Sequence, residues 1–151
     1  MTQRRTPPPG RWTRGGDVGS ASLELVVVAP ALLLTFGVVI AGGRIAIADQ
    51  AVEAAASEAA RTASLARSAT EASTSAQAAA TATLAAQSTR CTAVTVSVDT
   101  SQFARPVGTP ATVTASVTCV LGLEDVGVPG IPGTRVLTAT RTSPLDTFRE
   151  R

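Results

Sequence analysis

The sequence predicts an α+β protein. One long N-terminal helix, a membrane half followed by an alanine-rich stem, precedes a small antiparallel β meander. Three observations carry this. Residues 25–43 read LVVVAPALLLTFGVVIAGG, 19 residues without a charge. Alanine then recurs at helical spacing as far as Ala66. Beyond Cys91 the apolar period drops to two, the spacing of a half-buried strand.

Composition narrows the function classes. Among 151 residues there is no His and no Tyr, and all 13 basic residues are Arg. Histidine general-base catalysis, histidine metal sites and lysine Schiff-base chemistry are therefore outside this chain's means. Two Cys are too few for a four-thiolate zinc site. An aromatic content of 3% leaves no stacking platform for single-stranded nucleic acid. The net charge of +2 is small and no Arg cluster falls on a predicted folded element, so no nucleic-acid partner is expected. No catalytic residue, metal ligand or cofactor site is expected either.

Taken in order, residues 1–19 form a basic leader with Arg4, Arg5, Arg11 and Arg14 against Asp17 alone. The segment 20–43 is a transmembrane or assembly helix. Its uncharged run is about 29 Å long as a helix, one hydrocarbon thickness. Pro30 lies inside it, which membrane helices tolerate. From Arg44 to Arg151 nine Arg balance nine acids, so the positive charge is concentrated before the span. That asymmetry predicts a cytoplasmic N-terminus and an extracytoplasmic remainder.

Residues 44–89 read as a helical stem. Ile45, Ala48, Val52, Ala55, Ala59, Ala63 and Ala66 make a thin apolar stripe, with Asp49, Glu53, Ser57 and Ser64 on much of the other side. Glu58 and Arg61 are spaced to pair. The run SATEASTS, residues 68–75, predicts a break because Ser and Thr compete for backbone hydrogen bonds. A second helix is expected over residues 76–87, the alternatives being one bent helix or a low-complexity linker.

Residues 90–141 are expected to form the β domain. Val94, Val96 and Val98 alternate with Thr95 and Ser97, and Ala111 to Cys119 alternates similarly. Residues 105–110 supply the connection. A third strand over about 134–140 follows a Gly/Pro-rich loop around 126–133. Cys91 and Cys119 stand at the outer ends of the hairpin. A register placing them directly opposite, with residue numbers summing to 210, would set Val96 against Thr114. Facing Val94 with Val117 and Val98 with Val113 requires a sum of 211, reached by a bulge or by Cys91 lying before its strand. A disulfide fits an oxidising space, the alternative being two reduced thiols. Residues 142–151 are expected to form an irregular tail with a turn at Ser143-Pro144, and Phe148 docks on the sheet or is disordered, the alternative being contact with a partner.

The entrance to the apolar run is the most specific local feature: Gly19-Ser20-Ala21-Ser22-Leu23-Glu24. It resembles prepilins of the type IV superfamily, in which a prepilin peptidase cuts after a Gly and the fifth mature residue is Glu. Cutting after Gly19 makes Ser20 the new N-terminus and Glu24 the fifth residue. A carboxylate at the hydrocarbon edge needs a partner or water, and a freshly cut ammonium on a neighbouring subunit is a suitable one. The run ELVVVAPALLL from Glu24, then Asp49-Gln50-Ala51-Val52 and the alanine-rich stretch to Arg61, is similar to TadE-like pseudopilins of tight-adherence (Tad) pili. The resemblance covers about residues 14–66. It implies a pilin-like fold and a minor pseudopilin, with a prepilin peptidase, other pilins, pilus assembly-platform proteins and the membrane as partners.

Two other readings compete with a pilus component. One is a single-pass anchored binding protein that is not cut at Gly19 and is indifferent to Glu24. The other is an enzyme using Asp99, Glu124 or Asp125 as acids, although no nucleophile constellation frames them. Cleavage by signal peptidase after the small residues Ala41-Gly42-Gly43 is a further alternative for the N-terminus.

Overall fold

The computed structural model describes residues 18–106, 108–122 and 133–146. Residues 1–17 of the leader, residues 123–132 with Glu124 and Asp125, and Phe148 lie outside these residues. Helix α1 runs from Val18 to Leu65, joining the apolar run and the stem in 48 residues. Pro30 sits inside it without ending it. Residues up to Phe36 form one unit and Gly37–Arg151 another, the boundary falling within α1.

Helix α2 spans Ala69–Ala86. The expected break is real but lies earlier and is shorter than 68–75. Ser68 is the N-cap, and its hydroxyl accepts the Glu71 N–H at 3.2 Å. The Glu71 carboxylate reaches back to the Arg67 N–H at 3.0 Å. This is a close variant of the capping box, and Ser68-Ala69-Thr70-Glu71 carries its S-x-x-E signature. The hydroxyls of Ser73, Thr74 and Ser75 bond the carbonyls four residues back. Their hydrogen-bonding capacity is thereby spent within the helix rather than against it.

Helix α2 ends in a Schellman arrangement. Thr89 N–H bonds the Leu84 carbonyl at 3.1 Å, and Ser88 N–H bonds that of Ala85 at 3.0 Å. Ser88 takes the left-handed position, φ 55°, which glycine usually fills.

Strands β1 (Ala93–Asp99), β2 (Thr112–Gly122) and β3 (Thr134–Pro144) form an antiparallel meander in the order β1-β2-β3. A short 3-10 turn, Ser101–Ala104, begins the β1–β2 connection. Strand β3 runs four residues past the expected end, so Thr142–Pro144 belongs to the sheet rather than the tail. The pairing Thr112↔Pro144 extends the ladder, and Leu145 N–H bonds the Ala111 carbonyl at 2.9 Å beyond it. Leu145 is buried.

The β1–β2 register differs from the expected one. Val94 pairs with Cys119, Val96 with Val117 and Val98 with Ala115, a sum of 213 rather than 211. The two registers have the same parity, so both keep apolar residues on one face; a shift of two preserves what a shift of one inverts. Cys91 lies before β1, as one of the two expected solutions required, and is bonded to Cys119 with their Cα atoms 5.4 Å apart. Thr92 ties this approach to the sheet, its N–H and hydroxyl both bonding the Val120 carbonyl.

One core unites these elements. It combines Ala51, Ala55, Ala59 and Ala63 of α1, Ala72, Ala76, Ala80 and Leu84 of α2, and Val113, Val117, Cys119, Leu121 and Leu137 of the sheet. Most of its residues are alanine, so the helices approach their neighbours closely with little side-chain entropy lost. The α1 stripe is broader than expected because Ala51, Ala56 and Ala60 are buried as well. Ile45 is only half-buried, and Ser64, expected on the polar side, is buried.

Candidate assembly helix and display face

Three residues singled out in the sequence, Gly19, Ser20 and Glu24, fall in the first two turns of α1. The helix begins one residue before Gly19, so the bond after Gly19 lies in its first turn. First-turn N–H groups have no intrahelical acceptor, and opening the backbone there breaks few hydrogen bonds.

Beyond Glu24 the surface is apolar and uncovered. Leu25, Val26, Val27, Leu33 and Leu34 each expose about 70% of their area, and Phe36 exposes 62%. Water-facing helices do not present such a surface on all sides. Thr35 is the polar exception, and its hydroxyl donates to the Ala31 carbonyl at 2.8 Å, which satisfies it within the helix. Among the described residues this is the one helix long and apolar enough to cross a membrane, compatible with a single-pass anchor.

The stem is tied to the sheet by two polar contacts that no local spacing in the sequence announces. Arg141 of β3 donates to the Glu53 carboxylate of α1 at 2.8 Å, an exposed ion pair. Ser143 donates to the Ser64 hydroxyl at 3.0 Å, which explains why Ser64 can be buried. Ser64 in turn donates to the Arg61 carbonyl at 2.7 Å. The expected Glu58–Arg61 pair is present at 3.9 Å and exposed.

The alternation in β2 assigns Val113, Ala115, Val117 and Cys119 to the core, and so Thr114, Ser116 and Thr118 to the opposite face. Register then aligns hydroxyls across the sheet. Thr118 faces Thr95 and Thr138, Ser116 faces Ser97 and Thr140, and Thr114 faces Asp99 and Thr142. On the β2–β3 side these pairs are hydrogen-bonded, each at 3.1 Å. The result is an uncharged hydroxyl surface with one carboxylate at its corner.

That carboxylate, Asp99, accepts the Ser101 backbone N–H at 3.0 Å. This bond, helped by the Ser101 side chain, holds its pKa below the usual carboxylate value. Asp99 is thus a turn-forming anion, ill-suited to proton transfer at neutral pH. Glu124 and Asp125 lie outside the described residues. Among the described residues no group of three or more His, Cys, Asp or Glu is placed to hold a metal.

Residues 19–61 match the family model described as TadE-like protein. The match begins at Gly19 and ends at Arg61, within the stretch where the sequence shows its resemblance. The similarity to that family thus lies in the apolar helix and the first part of the stem, while the second helix and the sheet lie beyond the match. No curated protein and no solved structure matches the chain.

Proposed function

We propose that this chain is a minor pseudopilin of a Tad-type pilus, cut by a prepilin peptidase after Gly19 and contributing to pilus assembly or adhesion. The observation that carries the reading is the TadE-like match beginning at Gly19, with Glu24 at the fifth position after the cut. The uncovered apolar surface after Glu24 supports it, since such a helix is satisfied equally by lipid and by the helices of neighbouring subunits.

In this reading the leader stays cytoplasmic, the span holds the precursor in the membrane, and the stem and sheet lie outside. Cleavage removes the basic leader and creates an ammonium at Ser20. The Glu24 carboxylate of one subunit then accepts the ammonium of the next, which fixes axial register while the apolar faces pack. Other pilins and the assembly platform are the partners. The hydroxyl face of the sheet, on the side away from the core, is the displayed surface. No step calls for a catalytic residue in this chain.

The test is the N-terminus of the protein recovered from membranes of cells carrying a prepilin peptidase. Sequencing should begin at Ser20, and Gly19→Ala should leave the precursor uncut. An N-terminus at Met1, or one following Gly43, refutes the reading.

A further inference from the structure

The α2–β1 turn and the membrane-proximal end of the stem line an open pocket of about 400 Å³, bordered by Arg44, Ile47 and Ala48 of α1, by residues 87–90 and by Leu121. This is the size of a small-ligand site. Arg44 and Arg90, 46 residues apart in the chain, both border it, and both are exposed. Among the described residues neither forms an ion pair or a side-chain hydrogen bond, whereas Arg61 and Arg141 are both paired with carboxylates. The left-handed turn at Ser88 brings residues 89 and 90 to the pocket, and that position is strained for a residue with a Cβ.

We propose that this pocket binds the headgroup phosphate of an anionic phospholipid. Guanidinium groups suit phosphate because they are always charged and donate in a planar fork. Placement selects lipid over a soluble phosphate. The uncharged run ends at Gly43, next to Arg44. Ile40, Arg44 and Ile47 follow one another at i, i+4 and i+7 on one face of the helix, and Ile40 and Ile47 are 55% and 63% exposed. An acyl chain lying along Ile40 thus leads to a phosphate at Arg44. This assignment rests on the membrane reading of the apolar run, which puts Arg44 at headgroup depth. The lipid would hold the lower end of the stem and sheet against the membrane surface before the subunit is extracted.

Native mass spectrometry of the full chain in a non-ionic detergent, titrated with phosphatidylglycerol or phosphatidylcholine, tests this. One phosphatidylglycerol per chain should be retained in preference to phosphatidylcholine. Arg44→Gln and Arg90→Gln should each weaken it by roughly tenfold, Arg→Lys at either position less, and Arg135→Gln on β3 not at all. Amide-exchange protection of β2 peptides equal to that of the unsubstituted chain shows that each variant has folded. Equal retention of the two lipids overturns the proposal, as does indifference to both Gln substitutions. Displacement of the lipid by an equal concentration of glycerol phosphate overturns it in favour of a soluble phosphate. Binding that emerges only in Glu124→Gln/Asp125→Asn means that the chain's own carboxylates fill the site, and overturns it too. Membrane fractionation reads the anchor separately: wild-type chain in the soluble fraction refutes the membrane reading, whatever the detergent titration shows.

Discussion

Reducing the Cys91–Cys119 bond should loosen the sheet by an amount that the fold lets one work out. The bond closes a loop of 28 residues. In the chain-entropy model such a loop contributes about 3.6 kcal/mol at 25 °C, by restricting the unfolded chain. The core it protects is largely alanine, with Val113, Val117 and Leu137 the main larger side chains on the sheet, so this is a major fraction of the stability to be expected of so small a domain. Reduction is a cleaner perturbation than substitution. Cys119 is fully buried, and Cys119→Ser would add an unsatisfied hydroxyl to the effect of the lost bond. Amide exchange of the full chain in detergent, followed by mass spectrometry of peptides covering β2, reads the opening free energy directly. A loss of about 3.6 kcal/mol corresponds to roughly a 400-fold fall in protection of the most protected amides. Protection that falls less than about tenfold would mean that the bond constrains little that the ladder does not already hold.

Other outcomes follow from the same geometry. Ser88→Gly should stabilise by about 0.5–1 kcal/mol in urea unfolding, because glycine fits the left-handed position without a Cβ penalty; an unchanged or lower midpoint would contradict the cap. Ala59→Leu should destabilise by about 1–3 kcal/mol through overpacking of a fully buried site, while Ser57→Leu on the exposed side should change stability little; similar losses from both would deny the stem a buried face. Asp99 has a depressed pKa when folded, so its contribution is present above the ordinary carboxylate value of 3.8 and is lost as pH falls below it. Asp99→Asn should flatten that acid limb in a pH series of thermal melts, and an unaltered limb would assign the acid sensitivity to other carboxylates.

The elements differ in how legible they were. The apolar helix and the strand alternation are local periodicities, and both are present where the sequence places them. The start of α2 is equally local, marked by S-x-x-E at Ser68–Glu71, although the Ser/Thr run after it has low helix propensity. Low propensity does not break the helix there because Ser73, Thr74 and Ser75 satisfy their hydroxyls inside it. Strand β3 passes its expected end for a related reason: Ser143-Pro144 reads as a turn, but hydroxyl partners of Thr142 on β2 and of Ser143 on α1 hold this segment in the sheet. At the candidate site, the place of Gly19, Ser20 and Glu24 at the helix start is legible because they belong to one short local segment. The Glu53–Arg141 and Ser64–Ser143 contacts were not, since each joins residues about 80 to 90 positions apart.

The sequence by itself determined the class of the protein: a helix with too few polar groups to face water, an alanine stem, and strands whose period assigns one face to a core. It also determined the parity of the β1–β2 register, because a one-residue slip would exchange apolar and polar faces. Tertiary structure alone decided which register of that parity is used, with Val96 opposite Val117 and Cys91 drawn in from outside its strand. It also decided how wide a face of the stem is buried, and that Arg44 and Arg90 border one pocket. The physical reason is that a periodicity repeats identically under a shift of one full period. Only side chains meeting across long stretches of chain distinguish one such shift from the next.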